Sequence, residues 1–187
     1  MKLQNITLFL LALVVMAACG GGTAPAPQPI DNTPSWFLNP PKDTKELLYS
    51  VGVGKSRDKS TARQKAIAEA GNDMGRKIEV KVQSLAKKFT EEITEGDKSN
   101  FTEVWTNAIR NVVDQSIKGL SQENGSLLSV DAGTQYEFYV LMTIPVPGVT
   151  SALDNTLSRD KEMYAKWKSS NAFKEMDESA YNSKSQL

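Results

Sequence analysis

Apolar residues at Ile67, Ala70, Met74, Ile78, Val82, Leu85, Phe89 and Ile93 advance over 26 residues in seven steps. That is about 3.7 residues per step, close to the period of an α-helix. At ~1.5 Å per residue the helix would be near 40 Å long, and the rest of the chain must supply a cover for its stripe. Ser56, Asp58 and Thr61, with Gln64 three residues after Thr61, carry an N-cap and capping-box signal. Ile78-Glu79-Val80-Lys81-Val82 alternates as a strand would, but its outer members also fit the stripe, so the segment is predicted to be helical.

Before this helix, Leu47 to Val53 is β-branched and aromatic and runs into Gly54, which predicts a first strand over 47–53. After it, Glu95-Gly96-Asp97-Lys98 breaks the pattern, and Asn100 with Glu103 opens a second helix. Phe101, Val104, Trp105, Ala108, Ile109, Val112, Val113, Ser116 and Ile117 form a broad stripe on it, with Lys118 in the last turn and Gly119 as C-cap. Residues 126–130 and 136–144 read as strands flanking the turn Asp131-Ala132-Gly133. In the second of these, Tyr136, Phe138, Val140, Met142 and Ile144 share one face, while Glu137, Tyr139, Leu141 and Thr143 share the other. Pro145 and Pro147 stop the sheet. A helical tail follows, carrying Leu153, Leu157, Met163, Tyr164, Trp167, Phe173 and Met176.

The expected fold is α+β: a three-stranded, mainly antiparallel sheet packed on one face by two long helices, with a C-terminal helical tail. So long a helix outruns a three-stranded sheet, and its distal turns are expected to meet the second helix or another subunit. The expected segments are a signal peptide at 1–18, a lipidated cysteine and tether at 19–34, an α+β domain at 35–147 and a helical tail at 148–187.

The first two of these segments rest on composition. The apolar run from Ile6 to Ala17 has twelve residues, short of the ~20 needed to span a bilayer but within the range of a signal-peptide core. Met16-Ala17-Ala18-Cys19 follows and holds the chain's single cysteine. The tetrapeptide resembles the lipobox of bacterial lipoproteins, with Met16 in place of the usual Leu. That resemblance implies cleavage between Ala18 and Cys19, an S-diacylglycerol on Cys19 and acylation of its new amino terminus. Stable anchoring takes at least two acyl chains, and a diacylglycerol thioether supplies them. Gly20 to Pro34 contains three glycines and four prolines; at ~3.1 Å per residue this tether reaches up to about 45 Å. Gly20 is not the aspartate that acts as an inner-membrane retention signal in many Gram-negative bacteria, which favours the outer membrane, with the domain on its periplasmic side or at the cell surface.

Several stretches together resemble the LPP-twenty lipoproteins of bacterial outer membranes. They are Pro34-Ser35-Trp36-Phe37-Leu38-Asn39-Pro40-Pro41, Leu48 to Gly54, Ala62-Arg63-Gln64-Lys65-Ala66-Ile67-Ala68-Glu69-Ala70, and Met163 to Glu175. The resemblance implies a non-catalytic, membrane-anchored envelope protein, with some relatives associated with flagella. It carries over no catalytic residues.

Composition narrows the chemistry further. The chain has no histidine and one cysteine, which excludes a Ser-His-Asp or Cys-His nucleophile, an internal disulfide and a zinc-ribbon ligand set. Lys and Arg total 22 against 22 Asp and Glu, so no basic excess points to nucleic acid. Cleavage before Cys19 would leave 169 residues with net charge minus 1.

Gly52-Val53-Gly54-Lys55-Ser56 ends like a phosphate-binding loop, but Tyr49 stands where the motif needs a glycine. The alternative is a glycine turn packed under the helix. Glu91, Glu92, Glu95 and Asp97 cluster at a helix end without calcium-loop spacing. Arg76, Lys77, Lys81, Lys87 and Lys88 are interleaved with Glu69, Asp73 and Glu79, as on a solvated face. Trp36 and Phe37 are candidate interaction residues, or else they cap the core. No cofactor and no metal is expected. The expected partners are the membrane, through the lipid, and a second copy or another envelope protein. A carboxylate enzyme using Glu103 or Asp131 is the reading from another class.

Overall fold

The computed structural model describes residues 32–93 and 98–184. In chain order these form α1 (Ser35–Leu38), β1 (Leu47–Ser56), α2 (Lys59–Glu92), α3 (Lys98–Ile117), β2 (Ser121–Val130), a 3-10 turn (Asp131–Gly133), β3 (Gln135–Pro145), α4 (Val146–Leu157), α5 (Lys161–Ser169) and α6 (Asn171–Lys184). The architecture is α+β, with one fully antiparallel sheet in the order β1-β3-β2.

The stripe on α2 behaves as its period requires. Ala70, Met74, Ile78, Val82 and Phe89 are buried, Ile67, Leu85 and Ile93 are half-buried, and Val80, the odd member of the strand-like run, is exposed. Asp58 is the N-cap: its carboxylate accepts from the Thr61 backbone N–H at 2.7 Å and from the Thr61 hydroxyl at 2.9 Å. Thr61 is thus the cap's partner rather than a cap itself, because its hydroxyl is already committed to Asp58.

β1 runs on through Gly54 to Ser56, three residues past the expected end, because Gly54, Lys55 and Ser56 pair with Phe138, Glu137 and Tyr136. Gly52 and Gly54 therefore lie in a strand and not in a turn. Both face α2: a Cβ at Gly52 would stand 2.1 Å from the Ala66 carbonyl oxygen, and one at Gly54 2.1 Å from that of Ala62. Ala62, Ala66 and Ala70, four residues apart on one helix face, are fully buried opposite them. Small residues on both surfaces bring helix backbone down onto strand backbone.

β2 begins at Ser121, five residues before the expected start, and carries a bulge between Gln122 and Asn124. The added residues are polar and exposed, so no alternation betrays them; backbone pairing to β3 alone makes them a strand. The turn that follows places Asp131, Ala132 and Gly133 at φ of 52°, 54° and 87°, a left-handed path that only glycine adopts at no cost.

Of the two long helices, α2 lies on the sheet, while α3 packs chiefly against α2 and α4. Gly75 on α2 lies next to Val113 and Ile117 of α3. Pro145 ends β3, and Pro147 sits in the first turn of α4, where its missing N–H costs nothing. The 147/148 division falls inside α4, and the terminal helices share the core: Leu153, Leu157, Met163, Trp167, Ala172 and Met176 join Phe89, Trp105 and Val112 in one cluster. From Thr33 onward the chain is one compact unit.

Candidate functional site

Both faces of β3 are buried over residues 139–144. α2 covers the face bearing Val140, Met142 and Ile144. On the opposite face, Phe37 of α1 meets Tyr139 edge-on, with ring centroids 4.8 Å apart. Trp36 lies beside Phe37 at 6.4 Å, and both rings are half-buried. Of the two expected roles, Phe37 therefore takes that of a cap on the sheet, and Trp36 keeps part of its surface open. Cys19 and Ala18 lie outside the described residues.

The far end of α2 is an aromatic junction. Phe89 stands 5.8 Å from Phe101, 5.8 Å from Trp105 and 5.7 Å from Trp167, and Trp167 stands 5.8 Å from Phe173. Four segments thus converge where the helix has outrun the sheet. Here the acidic cluster divides. Glu92 accepts from the backbone N–H of Asn171 at 2.8 Å and of Ala172 at 3.2 Å, while Ser170 Oγ accepts from Phe173 N–H. A carboxylate carried by α2 thus holds the N-terminus of α6, where unpaired N–H groups and the helix dipole favour negative charge. Glu95 and Asp97 lie outside the described residues.

The basic residues are similarly dispersed. Lys77 bonds the Tyr49 carbonyl and Asp43, Arg76 pairs with Asp73, and Lys88 pairs with Glu175 at 2.6 Å. Asp131, one of the two carboxylates considered for catalysis, pairs with Lys55 at 2.9 Å. Glu103 is exposed on α3, and the structure does not bring the two together as a pair.

Lys55, Asp58 and Tyr164 depart from their ordinary values, each for a structural reason. The hydrogen bond to Asp131 raises Lys55, the hydrogen bonds from Thr61 lower Asp58, and burial together with the bond donated to Asp154 raises Tyr164. None of them lines the mainly apolar cavity of about 110 Å³ bordered by Leu48, Val82, Leu85, Val149, Leu153 and Met176, whose lining also includes Lys81 and Glu175. Among the described residues no His, Cys, Asp and Glu grouping could hold a metal ion, and no helix is long and apolar enough to cross a membrane.

A family model described as LPP20 lipoprotein matches residues 34–144. The chain belongs to the LPP20 lipoprotein family. The match starts at Pro34, takes in α1 with Trp36 and Phe37, and runs through the sheet to Ile144 near the end of β3. Comparison with curated proteins and with solved structures found no match. For this LPP20 lipoprotein, the Gly52–Gly54 and Ala62–Ala70 contact and the Phe37–Tyr139 contact both fall inside the family region, whereas α4, α5 and α6 lie beyond it. Sequence reasoning missed Glu92 as a cap because its partners are 79 and 80 residues away. It did not foresee the aromatic junction as a unit either, although each ring sits on a stripe it identified.

Proposed function

We propose that this chain is a lipid-anchored protein of the bacterial outer membrane that acts by binding or assembly rather than by catalysis. The observation that carries this reading is the tetrapeptide Met16-Ala17-Ala18-Cys19, directly ahead of a Gly/Pro-rich tether in a chain whose residues 34–144 match the LPP20 family. Cleavage between Ala18 and Cys19 frees the amino group of Cys19, and thioether and amide acylation of that residue supply the anchor. The use of the perturbed groups as caps and ion pairs supports a non-catalytic role, as does the lack of histidine. Gly20 favours the outer membrane. The test is growth with labelled palmitate followed by membrane fractionation: the parent chain should carry label in the outer-membrane fraction and Cys19→Ser should carry none. Labelling that survives the substitution overturns the lipid assignment, and label confined to the inner membrane overturns the location.

A further inference from the structure

The two edges of the sheet are treated differently. In the β1–β3 ladder the outward positions of β1 are the odd-numbered ones, because their backbone groups are met from outside the sheet. Asp43 accepts from Tyr49 N–H at 2.9 Å, Lys77 donates to the Tyr49 carbonyl, Glu69 accepts from Val53 N–H at 3.0 Å, and Lys65 donates to the Lys55 carbonyl at 3.1 Å. Lys65, Glu69 and Lys77 lie four and eight residues apart on α2, so one helix face occupies most of this edge. A strand whose outer groups are already bonded cannot template another.

β2 has no such cover. The register gives β3's odd-numbered residues to β2, pairing Tyr139 with Ser126 and Glu137 with Leu128. The outward positions of β2 are therefore Gly125, Leu127 and Ser129. Gly125 N–H is taken by the Asn124 side chain at 2.8 Å. Among the described residues nothing meets the backbone groups of Leu127 or Ser129, and Leu127 is 41% exposed.

We propose that this edge pairs with the same edge of a second copy, antiparallel about a two-fold axis through Leu128. This deepens the assembly role proposed above and rests on it. In that register Leu127 faces Ser129 of the other copy, and the reverse, so the open donors and acceptors of these two residues meet their complements. Gly125, whose N–H is already bonded, is left out. On the face of Tyr139, Leu128 meets its own copy and Ser126 meets Val130. β2 carries a single charge, Glu123, on the far side of the bulge, so no like charges are brought opposite one another. The strand offers another protein no charge pattern to read, but it satisfies itself. A strand of this length buries less than the ~1,200 Å² typical of stable dimers, so the pairing depends on chains held together at a surface.

The experiment is oxidative crosslinking in intact cells of the full chain bearing single cysteines from Ser126 to Val130, with the parent beside them to account for Cys19. Leu128→Cys should convert most of the membrane-fraction protein to a species of twice the mass, with weaker product at neighbouring positions. Val51→Cys on the covered edge should give none. Adding Leu127→Lys, an exposed substitution that leaves the core intact, should reduce the Leu128→Cys product at least tenfold. If every cysteine variant reaches the membrane fraction and stays monomeric, or if Leu127→Lys leaves the product unchanged, the pairing is wrong. Absence of the parent from the membrane fraction would instead count against the anchor.

Discussion

Replacing Gly52 with alanine adds one methyl group at the place where helix and strand backbones are closest. The new Cβ would stand 2.1 Å from the Ala66 carbonyl oxygen, 2.6 Å from the Ala70 nitrogen and 3.1 Å from the Ala70 Cβ, whereas ordinary contact begins near 3.4 Å. The first two atoms are backbone inside a 34-residue helix and cannot rotate aside. α2 must therefore retreat from the sheet by more than about 1 Å, a gap that forfeits a quarter to a half of the dispersion energy of each contact it opens. Ala66, Ala70, Val140 and Met142 form the cluster that would be opened. Overpacking usually costs ~1–3 kcal/mol, and a clash with backbone belongs at or above the top of that range. At roughly 2–4 °C per kcal/mol for a domain of this size, the unit beginning at Thr33 should lose about 6–12 °C in Tm, measured by circular dichroism. Gly54→Ala should behave alike, since its Cβ would meet Ala62 and Ala66 in the same way. Gly148→Ala, with nothing within 4 Å of the added carbon, serves as the control and should change stability by no more than ~0.5 kcal/mol. A Gly52→Ala variant melting within a degree or so of the parent would refute the close approach, and with it the account of why this strand carries two glycines.

Three further outcomes follow from the same structure. Glu92→Ala removes the carboxylate holding the start of α6 and should cost about 1 kcal/mol, as lost helix caps do; hydrogen exchange should quicken at the amides of Asn171 and Ala172 and not in β3. Trp167→Ala empties the centre of the aromatic junction and should cost ~3–5 kcal/mol, with loss of near-ultraviolet circular dichroism. Trp167→Phe should cost clearly less, because it keeps the ring and removes an indole N–H that is buried without a hydrogen-bond partner among the described residues; equal losses in the two variants would argue against that description. Asp58 has a folded-state pKa below its ordinary 3.8, so its capping contribution is complete above that value and is lost as pH falls through the lowered one. Asp58→Asn should therefore flatten the acid limb of a stability-versus-pH curve while leaving its alkaline limb unchanged.

Much of the fold was legible where burial repeats with the period of a single element. The α2 stripe and the α3 stripe each report one buried face, because local geometry fixes which side chains point the same way; the alternation along β3 sorted its residues onto two faces, both of which the structure buries over 139–144. The overlooked half of β2 has no such signal, since an exposed edge strand needs only backbone pairing and its side chains are free to be polar. Phe37 illustrates the intermediate case: its aromatic character marked it, but whether it faced a partner or Tyr139 depended on a sheet face formed a hundred residues later.

Periodicity, breakers and the residues around Cys19 were enough to set most of the elements, their order, the α+β class and the expected anchor. These depend on spacing along the chain, which the sequence states directly. Tertiary structure alone decided that α2 rests its alanines on Gly52 and Gly54, that Glu92 caps a helix 79 residues away, and that one sheet edge is closed while the other is open. Those outcomes depend on which distant backbone groups come within bonding distance, and that distance exists only once the chain has packed.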